Sequence, residues 1–114
     1  MKKIGILFSF VLVAIIFYQC NPARKAKAST PVISYNNNIQ TLVMNNCAPC
    51  HIPEKGGKKL ALDNYHAVKD NLADIVTRIE LHPGEKGFMP FKRARLSDST
   101  IAVFRLWKEQ GMAE

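Results

Sequence analysis

Cys47-Ala48-Pro49-Cys50-His51 puts two thiols three positions apart and an imidazole directly after the second. In a short turn, thiols at this spacing can add across the two vinyl groups of a haem, and the next residue's imidazole can ligate the iron from one face. Covalent thioethers fix such a cofactor in a body too small to enclose it by packing alone. With three Cys and three His in 114 residues, roughly 0.002 chance matches to this pattern are expected. Other uses of a CxxC pair need other surroundings. A thioredoxin-like disulfide wants a βαβ pattern, and a zinc site wants a second pair of Cys or His ligands at close spacing. The sequence supplies neither.

The elements that must position these groups read as helices. Tyr35, Ile39, Leu42 and Val43 recur at helical spacing and lead straight into Cys47, with Ser34 or one of residues 36–38 placed to cap. Residues 53–59 (PEKGGKK) form a loop by composition. Tyr65, Val68, Leu72, Ile75 and Ile79 then step by three and four, predicting a second helix that stops at His82-Pro83-Gly84. Residues 84–90 make a second loop, which carries Met89. The last helix opens at Ser97-Asp98, an N-cap followed by an acidic residue, buries Ile101, Phe104 and Trp107, and ends at Gly111. No alternating strand pattern is present. The expected class is all-α, with three main helices.

Residues 35–112 resemble a small bacterial class I c-type cytochrome domain with one haem. The resemblance rests on a helix ending in CxxCH, the Gly87-Phe88-Met89-Pro90 loop and a C-terminal helix. It implies a cytochrome c-like fold over 35–114 around one haem c, bound covalently through Cys47 and Cys50. His51 is then the proximal iron ligand and Met89 the distal one. The 37 residues between His51 and Met89 are enough for a helix and a return loop. His82, at a helix end beside the same loop, is the main rival, and an open position is the other. Met44 lies one turn before Cys47, Met112 beyond the last helix, and Met1 in the N-terminal segment; His66 shares a helical face with Lys69 and Asp70 and reads as solvated. Phe88, Phe91 and Trp107 read as core or haem-pocket packing, with no catalytic role.

The rest of the chain suggests an address. Met1-Lys2-Lys3 precedes fifteen residues, 4–18, interrupted only by Gly5 and Ser9; this is the layout of a secretory signal and short of the ~20 residues of a spanning helix. Residues 1–19 are expected to be a signal peptide or membrane anchor, and 20–34 a tether. Cys20 stands where a bacterial lipoprotein carries its acylated cysteine, although Phe17-Tyr18-Gln19 lacks the usual small residue before it. Retention of the segment as an anchor, or cleavage after Ala26-Lys27-Ala28, are the alternatives. Either way the body is exported to a bacterial periplasm or cell envelope.

Removing Lys2 and Lys3 from the formal +7 leaves +5. No Lys/Arg stripe interleaves with aromatics, which disfavours nucleic acid. Lys55, Lys58, Lys59, Lys86, Lys92, Arg93 and Arg95 flank the two loops, so an acidic redox partner is one expectation, and electron-transfer rate then falls as salt rises. His/Met ligation fills the coordination sphere and raises the potential, leaving outer-sphere transfer of one electron and no enzyme activity. A haem sensor with displaceable Met89, and an accessory subunit of a membrane oxidoreductase complex, are the alternative functions.

Overall fold

The structure, a computed structural model, describes residues 30–114. The expected export segment 1–19, Cys20 and most of the expected tether lie outside the described residues. All regular elements among the described residues are helical.

The first helical run opens with a π-helical turn, Tyr35–Ile39, and continues as α1, Gln40–Asn46. Ser34 is the cap. Its Oγ accepts from the Asn37 amide at 3.3 Å, while its own amide donates to Asn38 Oδ1 at 3.1 Å, so two backbone donors are satisfied reciprocally. Tyr35, Ile39 and Val43, four apart, make one buried stripe. The Cys47 amide donates to Val43 O at 2.8 Å, so α1 delivers the chain directly into the CxxCH turn.

The expected second helix is two helices, α2 (Tyr65–Asp70) and α3 (Leu72–Glu80), so the count of main helices becomes four. Asn71 makes the break. Its side-chain Nδ2 donates to Ala67 O at 2.8 Å, taking the acceptor that its own amide would use in a continuous helix. The apolar rhythm survives the break, because Val68, Leu72, Ile75 and Ile79 are all buried. Asn64 caps α2 by accepting from the Ala67 amide at 2.9 Å.

The last helix, α4 (Asp98–Glu109), starts at Ser97, whose Oγ accepts from the Thr100 amide at 3.2 Å. It ends where Gly111 takes φ +88°, with Met112 N–H donating to Trp107 O and Gly111 N–H to Lys108 O. Those two bonds cap the terminal carbonyls in the Schellman pattern, which glycine enters without a Cβ penalty. Ile101, Phe104 and Trp107 of α4 share one buried cluster with Ile39, Val43 and Leu72. Each fully buried aliphatic or aromatic side chain of this kind contributes about 1.5–3 kcal/mol relative to exposure.

Two consecutive carbonyls of the C-terminal tail tie three elements together. Met112 O accepts from the Tyr65 hydroxyl at 2.9 Å. Ala113 O accepts from both Trp107 Nε1 (2.7 Å) and the Tyr35 amide (2.9 Å). The described end of the expected tether also joins the body: Ile33 is buried, its amide donates to Gln110 Oε1 at 2.8 Å, and Gln110 Nε2 donates to Pro31 O at 2.8 Å. Low apolar content hid this, since two side-chain amide bonds do the fastening. No helix among the described residues is long and apolar enough to cross a membrane.

Candidate cofactor-binding site

Cys47, Cys50, His51 and Met89 line one cleft of about 470 Å³, inside the range of small-molecule and cofactor sites. Leu62, Ile75, Ile79, Leu96 and Phe104 supply apolar wall, while Lys59, Asp74, Arg78 and Arg93 are its charged lining residues. The CxxCH turn enters from α1, α3 forms one side, and the loop between α3 and α4 brings Met89.

The turn is held by its own backbone. The His51 amide donates to Cys47 O at 3.1 Å, Ile52 N–H to Pro49 O at 3.0 Å, and Leu62 N–H to His51 O at 2.9 Å. Gly57 lies against it so closely that a Cβ there would stand 2.4 Å from Pro49 O and 2.6 Å from Cys50 O. No side chain fits between position 57 and the turn.

His51 is oriented for ligation. Its Nδ1 lies 2.7 Å from Leu60 O, and a carbonyl only accepts, so Nδ1 carries a proton and the neutral ring has its lone pair on Nε2. A backbone carbonyl on the second ring nitrogen is the usual orienting partner of a metal-bound histidine. Met89 is fastened by its amide, which donates to Arg78 O on α3 at 3.2 Å, and the preceding Phe88 is buried. Cys47 and Cys50 are free thiols. Burial pushes the Cys47 thiol up to about 11, outweighing the lowering effect of Arg93, so it is a neutral S–H at physiological pH.

The rival ligands do not line the cleft. His82 is exposed, with its amide donating to Glu85. His66 is exposed with its ring against Tyr65, Met44 packs on the core, and Met112 lends its carbonyl to Tyr65. Among the described residues no group of three or more His, Cys, Asp or Glu is arranged to hold a metal ion, and no strand surrounds the CxxC pair. Of the three aromatics expected to pack in the core or the pocket, Trp107 is wholly buried in the core, while Phe91 is 67% exposed and lines the cleft. Leu60, 55% exposed, lines it from the CxxCH side.

The Leu60 carbonyl, Gly57 and Arg93 are contributors that residue type did not announce; only the tandem Gly56-Gly57 carried a signal of close backbone approach. Lys55, Lys58, Lys59, Lys86 and Lys92 are exposed. Arg95 is paired with Asp98 at 2.7 Å, and Arg93 donates to backbone carbonyls. The donor set fits a haem: two thiols, an imidazole with one nitrogen left for a metal, and a thioether share one apolar cleft. Compared with family models, curated proteins and solved structures, the chain has no match.

Proposed function

We propose that this chain is a monohaem c-type cytochrome that carries single electrons, with a cytochrome c-like fold around the cleft. The observation that carries the reading is the CxxCH turn sharing one cleft with Met89, with His51 Nε2 left available. Cys47 and Cys50 would hold the haem through thioethers, His51 Nε2 would be the proximal ligand, and the Met89 sulfur the distal one. When bound, the haem supplies reversible one-electron cycling between Fe(II) and Fe(III).

The chain's own residues set the conditions. Leu60 O fixes the His51 tautomer and makes the ring a better donor. Leu62, Ile75, Ile79 and Phe104 exclude water and disfavour extra charge on the metal, and a thioether favours the reduced ion, so the potential is raised. His51 and Met89 would together leave the bound group no open position for a substrate, which fits a carrier and not an enzyme. The exposed lysines near the cleft, beside Leu60 and Phe91, suit an acidic redox partner. Export to a bacterial periplasm or envelope, with Cys20 lipidated as the tether, completes the proposal.

Absorption spectra of protein matured in a haem-attaching host, taken oxidised and reduced, test it. Covalent haem with a sulfur-to-ferric charge-transfer band is expected. A colourless protein with free or mutually bridged thiols overturns it, and ready carbon monoxide binding by the reduced form favours a sensor.

A further inference from the structure

Arg93 has a place in the site that neither the CxxCH spacing nor the methionine loop foretells. α1 ends at Asn46, and the carbonyls of a final helical turn find no further amides within the helix. Arg93 reaches one of them and the turn just beyond: Nη1 reaches Asn45 O at 3.5 Å, and Nη2 donates to Ala48 O, within the CxxCH turn, at 3.0 Å. A positive fork therefore sits at the negative end of the helix backbone and meets two acceptors with two separate nitrogens held in one rigid plane, which the single nitrogen of an ammonium does not offer.

The same residue governs the loop it belongs to. The Arg93 amide donates to Pro90 O at 3.2 Å, closing a turn that begins directly after Met89. Upstream, Met89 is tied to Arg78 O on α3. The loop is thus fastened on one side to α3 and on the other, through Arg93, to the turn that bears Cys47, Cys50 and His51. Among the described residues, the two Arg93 bonds are the only hydrogen bonds joining residues 81–97 to residues 40–62. Lys92 is the contrast: it carries the same charge, but its Nζ lies 5.3 Å over the Phe91 ring and reaches no α1 carbonyl.

We propose that Arg93 is a positioning residue, strapping the Met89 loop to the CxxCH turn so that the thioether stays over the cleft. This rests on the haem reading above and adds the element that keeps the distal ligand in place against competitors. Charge alone does not provide it; the two-carbonyl fork does.

The test is a spectral titration of the oxidised holoprotein with imidazole, a small neutral competitor for the distal position. Arg93→Gln should keep its covalent haem yet bind imidazole about tenfold more tightly, the scale of one lost charge-assisted hydrogen bond. Arg93→Lys should fall between it and the parent, and Lys92→Gln should match the parent. In a Met89→Ala background, with no sulfur left to displace, Arg93→Gln should change nothing. Equal imidazole affinity of Arg93→Gln and the parent overturns the role, as does an equal shift in Lys92→Gln or a shift that persists without Met89. If Arg93→Gln yields no holoprotein, the same titration of Arg93→Lys decides. A parent protein without haem or without the sulfur band sinks the haem reading itself; a normal parent beside an unaffected Arg93→Gln sinks Arg93 alone.

Discussion

The two ends of the helical body are built on different terms. At the end where the first run begins and α4 finishes, the rings of Tyr35, Tyr65 and Trp107 lie 5.7 to 6.3 Å apart, and Met112 O and Ala113 O absorb three donors from three separate elements. At the other end, where α1 runs into Cys47, side chains stand around a cleft, and the elements are joined by few bonds, chiefly Met89 to α3 and Arg93 to the CxxCH turn. The first end is closed by packed rings and backbone bonds; the second keeps a cleft lined by Cys47, Cys50, His51 and Met89. On the proposed reading, stability and chemistry divide along the helices, and a change at one end should leave a different signature from a change at the other.

The sharpest break comes from the cleft. Cys47→Ser or Cys50→Ser should cause near-complete loss of covalently held haem, read by haem-stained denaturing gels and intact mass, and full retention would dissolve the contrast. Next is Trp107→Ala at the closed end, which should cost about 3–5 kcal/mol, read by denaturant unfolding. Trp107 is 0% exposed and its indole N–H is bonded, so both packing and a hydrogen bond are lost. Met89→Ala should spare most of that stability but lower the reduction potential and admit carbon monoxide to the reduced protein; an unchanged spectrum would remove Met89 from the site. The smallest effect lies at the start of α4. A hydrogen bond and the positive charge of Arg95 hold the Asp98 carboxyl below the usual carboxylate range. The pair thus stabilises the fold above that range, and the contribution fades as pH falls through the depressed value. Asp98→Asn should flatten this acid-side loss slightly, because the pair is at the surface; thermal melts from pH 2 to pH 6 would show it, with about pH 4 as the usual carboxylate midpoint.

What could be read in advance was whatever residue type encodes. Ile39, Val43, Val68, Leu72, Ile101 and Phe104 announced their buried faces by spacing, Ser97 and Gly111 announced the limits of α4, and the Cys-His pattern announced the turn. Asn71 was missed because its amide competes for a carbonyl four residues back, and nothing in the apolar rhythm records that competition. Leu60 matters through a backbone oxygen that any residue would offer. Arg93 looked like one loop cation among seven, since its partners are carbonyls 45 and 48 positions away. Ile33 stood in a segment whose composition said linker, yet Gln110, at the far end of the chain, fastens it.

That fastening has a mechanical meaning. Force applied at Pro31 would pass first into Gln110 and, through Ile33 and Tyr35, into the C-terminal tail. The load is spread across the aromatic junction, one helical run of about 18 Å away from Cys47 at 1.5 Å per residue. A pull on Pro31 would therefore meet Gln110 and the aromatic junction before it met Met89 or His51.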